Sequence, residues 1–133
     1  MKTRQWIAIA ALALGASFAQ AADWQLVSPG QEESVYVDQD SVHADGGLKK
    51  AWVLRNYSRV KTLGDDGFPH KSKLILYAFR CEAGEAGYSQ WSFHSGELAS
   101  GRTVWADNVA HLSMVDAAFD PALSLAFERV CHS

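Results

Sequence analysis

Residues 72–81, SKLILYAFRC, restrict the fold more than any other stretch of this chain. Successive side chains of a strand point to opposite faces. Leu74, Leu76 and Ala78 therefore share one face, and Ile75, Tyr77, Phe79 and Cys81 share the other. The run is rich in aromatic and branched residues, which favours a strand over a helix. A strand apolar on both sides belongs in the middle of a sheet with something packed over it.

The neighbouring segments fit the same sheet. WQLV stops at Ser28-Pro29-Gly30, and SVYVD follows with Val35 and Val37 on one face and Tyr36 on the other. ADGG after Asp40-Ser41 has the residues of a hairpin turn. LKKAWVLRNYSRV then sets Trp52, Leu54 and Asn56 against Val53, Arg55 and Tyr57. TLGDDGFPHK breaks that strand, EAGEAG turns the chain after Cys81, and YSQWSFH, SGELASG and RTVWA supply strand, turn and strand. Short segments separated by turns at this spacing indicate an antiparallel sheet.

The C-terminal segment changes period. In DPALSLAFERVCH, Asp120 stands as an N-cap and Pro121 at the first helical position, where its missing N–H is harmless. Leu123, Phe127 and Val130 recur at helical spacing, with Ala126 between them and Cys131 beside Phe127. Arg129 and His132 sit where positive charge suits the helix dipole. A helix this short does not persist alone in water and must be held by packing or a covalent bond.

The amino terminus sets the compartment. MKTRQWIAIAALALGASFAQA has a basic start at Lys2 and Arg4, an apolar stretch too short to span a bilayer, and a small-x-small site at Ala19-Gln20-Ala21. The expectation is an export signal over residues 1–21 cleaved after Ala21, with residues 22–133 as one domain. No cysteine lies near the cleavage site, so a lipoprotein is not expected, and no membrane span is expected after cleavage. Location in the periplasm or outside the cell follows. Without Lys2 and Arg4, 10 basic residues face 15 acidic ones. That balance disfavours nucleic acid and anionic lipid as partners.

In an oxidising compartment, two cysteines favour a disulfide between Cys81 and Cys131. A redox pair of the CxxC kind is absent, and no CxxC or HxxxH spacing accompanies Cys131 and His132 to hold a metal. No motif for nucleophilic, metal or phosphate chemistry is present. One catalytic arrangement is open: His94 with Ser92 or Ser95, and Glu97 close by in sequence. A hydrolase built on His94 and a serine is accordingly the second alternative. His70, Lys71 and Lys73, at the exit of the longest loop, form the one local positive cluster and are the expected contacts for a protein partner. The tryptophans Trp24, Trp52, Trp91 and Trp105 read first as core filling, and otherwise as a stacking platform.

VYVDQDSV, KKAWVLRNYS, KSKLILYAFRC, SGELASG and DPALSLAFERVC, in this order, resemble the surface-adhesin protein E-like family of Gram-negative bacteria. The strongest matches are Asp38, Trp52, Ser72 with Cys81, and Pro121 with Cys131, over nearly all of residues 23–131. The resemblance implies an α+β fold: one antiparallel sheet of about six strands, with a C-terminal helix disulfide-linked to a strand. It also implies a small, non-enzymatic, adhesin-like binding domain whose partner is a host matrix or serum protein, or an envelope protein. Haem or small-ligand binding is the first alternative. Its possible ligands are His43, His70, His94, His111, Tyr57 and Tyr88, although no cofactor and no metal is expected. The expected surfaces are the sheet face away from the helix and the loop over residues 62–73.

Overall fold

The computed structural model describes residues 22–62 and 67–133. The expected export signal and the middle of the loop before His70 lie outside the described residues. Eight strands form one antiparallel sheet: β1 (Trp24–Ser28), β2 (Glu33–Asp38), β3 (His43–Asp45), β4 (Leu48–Lys61), β5 (His70–Arg80), β6 (Glu85–His94), β7 (Thr103–Asn108) and β8 (Val115–Asp116). Their order is β1-β2-β4-β5-β6-β7, with β3 added beside β4 and β8 beside β6. The six-strand path and the C-terminal helix α1 (Pro121–Cys131) are those the sequence implies. β5 is central, as its two apolar faces demand.

The register makes the helix-side face legible. Val53 pairs with Ile75 and Ile75 with Trp91, so one row crosses three strands. Val35, Val37, Ala51, Val53, Ile75, Tyr77 and Phe79 lie on this face and are buried. Leu123, Ala126 and Val130 of α1 complete the core against them. At roughly 1.5–3 kcal/mol for each large apolar side chain removed from water, these contacts supply what an isolated helix of 11 residues lacks. Gly46 closes the β3–β4 hairpin with φ +63°, and Gly87 lets the chain at Ser113 and Met114 pass against β6, where a Cβ would meet Ser113 O at 2.8 Å.

Each end of α1 is fixed to the sheet. Asp120 Oδ1 accepts the Ala122 and Leu123 amides at 3.0 and 3.5 Å, and its Oδ2 accepts Arg55 Nη2 from β4 at 2.7 Å. At the other end, Cys131 is bonded to Cys81, just past β5, with Cα atoms 5.6 Å apart. Lys49 Nζ also donates to the backbone oxygen of Ser133 at 2.7 Å. The helix lies across β1, β2 and β4 and touches β5. Beyond β5, no helix among the described residues covers the same face of the sheet.

The opposite face is partly closed by the turn after β6. Leu54 on that face is fully buried, and Glu97–Ala99 packs on β4 and β5 there. Leu98 and Ala99 adopt φ +54° and +61°, unfavourable for residues with a Cβ. Asn56 Oδ1 accepts the Leu98 amide at 2.8 Å, and Ser72 Oγ accepts the Ala99 amide at 3.0 Å while donating to Gly96 O at 2.7 Å. Sequence patterning marks SGELASG as a simple turn; the structure makes it a lid held by two strand residues.

Candidate binding site

The half of the helix-side face that α1 leaves open forms a cleft of about 560 Å³. Strand register brings its residues together. Arg55 pairs with Lys73, Lys73 with Phe93, and Phe93 with Trp105, so four strands contribute one row. Ile75, Tyr77 and Trp91 form the floor next to the core, and Tyr88 the rim. Tyr88 and Trp91 meet edge to face at 5.3 Å, and Phe68 stacks on Trp105 at 5.1 Å. Tyr88 and Trp105 are 49% and 44% exposed and lie together at the mouth of this cleft.

Two cations sit in this aromatic setting in different states. Arg55 is committed: Glu33 Oε1 and Asp120 Oδ2 bind it at 3.1 and 2.7 Å. Burial acts against its charge, but Tyr77, Asp120 and Glu33 outweigh burial and hold the guanidinium above its ordinary value. Lys73 makes no ion pair among the described residues, and its Nζ lies 5.2 Å from the Phe93 ring centroid. Burial, then repulsion from Arg55, lowers its ammonium below the ordinary lysine value, with Glu33 opposing. A second hollow of about 330 Å³ shares Glu33, Tyr57, Lys73 and Phe93 with the first and continues to Lys61. Lys61 Nζ lies 5.7 Å from the Tyr57 ring centroid.

The residues expected to meet a partner do not form one patch. His70 is 3% exposed, packed at 4.6 Å from Phe93 and 5.7 Å from Tyr57. Its imidazole is packed inward among these rings and lines the hollow beside the cleft. Lys71 pairs with Glu97 at 3.2 Å. Of the three, Lys73 alone lines the cleft. The aromatic cleft is on the helix side, where sequence patterning alone places only core. A larger but more open hollow of about 660 Å³ lies between β1 and α1, lined by Leu26, Leu125 and Arg129, and its His132 is already paired with Glu128 at 2.9 Å.

The other candidates are placed as follows. Ser92 Oγ lies 2.8 Å from His94 Nε2, so that pair forms on the face away from the helix. His94 Nδ1 meets Thr103 Oγ1 at 3.5 Å, not a carboxylate, because Glu97 is turned to Lys71. Burial lowers the His94 pKa. Of the possible haem ligands, Tyr57 and Tyr88 line the cleft and His70 the adjoining hollow, whereas His43 and His111 are exposed. Among the described residues no group of three His, Cys, Asp or Glu is arranged to hold a metal, and no helix is long and apolar enough to cross a membrane.

Comparison with known proteins bears on the whole domain. The family described as surface-adhesin protein E matches residues 24–132. Among solved structures, crystal form II of Haemophilus influenzae protein E is similar with a TM-score of 0.59 at 14% identity, over 74% of this chain and 80% of that one. Protein E from non-typeable Haemophilus influenzae gives 0.61 at 12% identity, over 82% and 75%. At such identities the likeness is one of fold. A search of curated proteins finds no match.

Proposed function

Because the chain belongs to the surface-adhesin protein E family, we propose that it is an exported, adhesin-like binding domain without catalytic activity, and that the aromatic half-face is where its protein partner docks. In this reading the leader over residues 1–21 is removed after Ala21, and residues 22–133 act as a single domain in the periplasm or at the cell surface. The partner is a host matrix or serum protein, or an envelope protein. The observation that carries the assignment is the open half of the helix-side face: Tyr88 and Trp105 remain about half exposed beside a cleft whose floor is core. Exposed aromatic rings around a desolvated cleft are the usual anchors of a protein interface.

The test is retention on immobilised vitronectin and laminin. The mature domain is retained, and the Tyr88→Ala/Trp105→Ala variant loses most of that retention while keeping its disulfide. Equal retention of both proteins removes the cleft as the docking face. A hydrolase reading has one observation in its favour, the 2.8 Å contact between Ser92 and His94. Release of nitrophenol from p-nitrophenyl acetate that Ser92→Ala abolishes would establish it; release unchanged by that substitution removes it.

A further inference from the structure

We infer that the cleft takes an acidic side chain of the partner, carried on an extended, otherwise apolar segment, with its carboxylate against Lys73. The inference rests on the reading of this half-face as the docking surface and names the chemistry that surface selects. Three observations lead to it.

First, the cations of the cleft are not equivalent. Arg55 has Glu33 and Asp120 as its carboxylates. Lys73 Nζ lies over the Phe93 ring, and Lys61 Nζ over Tyr57, with no carboxylate on either among the described residues. Arg55 and Glu33 act on the Lys73 ammonium in opposite senses, but Glu33 is paired with Arg55 and leaves the lysine's donors available for an arriving acceptor. A carboxylate completes that set where an amide or a second cation does not.

Second, the shape suits an extended chain better than an enclosed small molecule. The two hollows share Lys73 and run from Trp105 on β7 to Lys61 on β4. Three strand spacings amount to roughly 14 Å, about the length of four extended residues. Sites for small ligands enclose most of the ligand surface, whereas Tyr88 and Trp105 leave this groove open on one side. Third, Lys73 is in mid-groove, with Phe93, Trp91 and Trp105 to one side and Tyr57 to the other. An acidic residue with an apolar residue two positions away on each side, all three on one face of the extended segment, matches that order.

The probes are two capped pentapeptides without aromatic rings, acetyl-Leu-Ala-Asp-Ala-Leu-amide and acetyl-Leu-Ala-Asn-Ala-Leu-amide, in which the two leucines and the central residue share one face when extended. Each is titrated into the mature domain while the indole N–H signals of Trp91 and Trp105 are followed by NMR. The Asp peptide is expected to shift both signals and to bind about fivefold more tightly than the Asn peptide, the order of a partly exposed ion pair. Lys73→Met, which replaces the ammonium with an apolar group of similar length and preserves packing, should bring the Asp peptide to the affinity of the Asn peptide. Equal affinities for the wild type, or discrimination that survives in Lys73→Met, overturn the inference. So does failure of both peptides to move the indole signals. If the Tyr88→Ala/Trp105→Ala variant has nonetheless lost retention on vitronectin or laminin, the docking face stands and only the carboxylate is removed.

Discussion

Replacing Asp120 separates two interactions that one carboxylate makes. Its Oδ1 caps α1 by accepting the Ala122 and Leu123 amides, and its Oδ2 binds Arg55 Nη2 at 2.7 Å. Asn is as good an N-cap as Asp, so Asp120→Asn keeps the first and loses the second. The Arg55 side chain is 13% exposed and that of Asp120 40%. Arg55 also keeps Glu33, so the loss is discounted from a fully buried pair to about 1 kcal/mol. Asp120→Ala loses the cap as well, a further ~1 kcal/mol. In a domain of this size, each kcal/mol corresponds to roughly 4 °C in Tm. Urea and thermal unfolding of the mature domain with its disulfide intact should therefore rank wild type, Asn and Ala variants in nearly equal steps.

The pH dependence provides a second reading of the same contact. Burial tends to raise the Asp120 pKa, but the hydrogen bond and charge of Arg55 and the two helix amides hold it below the ordinary carboxylate value. A folded pKa below the unfolded one means that the unfolded chain takes up the proton first. The contribution is complete above about pH 4 and is lost as pH falls through the folded value. The Asp120→Ala curve should thus converge on wild type only in acid. Equal stability of wild type and Asp120→Asn at pH 7 would show that the Arg55 contact contributes nothing. Equal stability of the Asn and Ala variants would show the same for the cap.

Three other perturbations have defined outcomes. The Cys81→Ala/Cys131→Ala variant loses a link between residues 50 apart, a cost of about 4 kcal/mol in the chain-entropy account; hydrogen exchange should show α1 opening before β4 and β5, and simultaneous opening would refute this. Ser72→Ala orphans Gly96 O and the Ala99 amide at a fully buried position, costing about 1–3 kcal/mol and speeding Ala99 amide exchange; unchanged exchange would mean that Ser72 does not hold the turn. Burial lowers the His94 pKa, so the unfolded chain binds a proton at higher pH and stability declines as pH drops below about 6.5; denaturation of His94→Asn should lack that part of the decline, and an identical pH profile would refute it.

The sequence discloses what depends on local period and local chemistry. Alternation in β4 and β5 separates Arg55 and Tyr57 from Leu54 and Asn56, and the register keeps them apart. Asp120-Pro121 announces the helix start, and two cysteines in a chain expected to be exported point to the bond between Cys81 and Cys131. Partnerships across the fold are not encoded in any window. Arg55 and Asp120 are 65 residues apart and meet only because α1 crosses β4. Leu98 and Ala99 carry no sign of positive φ, since the hydrogen bonds that impose it come from Asn56 and Ser72. His70 follows Pro69 in a polar stretch and reads as solvated, yet the fold inserts it between Tyr57 and Phe93. The cleft has no sequence signature of its own, because Ile75, Tyr77 and Trp91 serve the core and the site at once.

The fixing of α1 at both its ends has an evolutionary consequence. Arg55–Asp120 at one end and Cys81–Cys131 at the other hold α1 over the part of the sheet from β1 to β5. Rim positions on the β6–β7 side, such as Tyr88 and Trp105, are exposed and can change at small cost to folding. A molecule arranged in this way can drift toward a new partner without first losing its scaffold. The fold is shared with solved structures at only 12–14% identity.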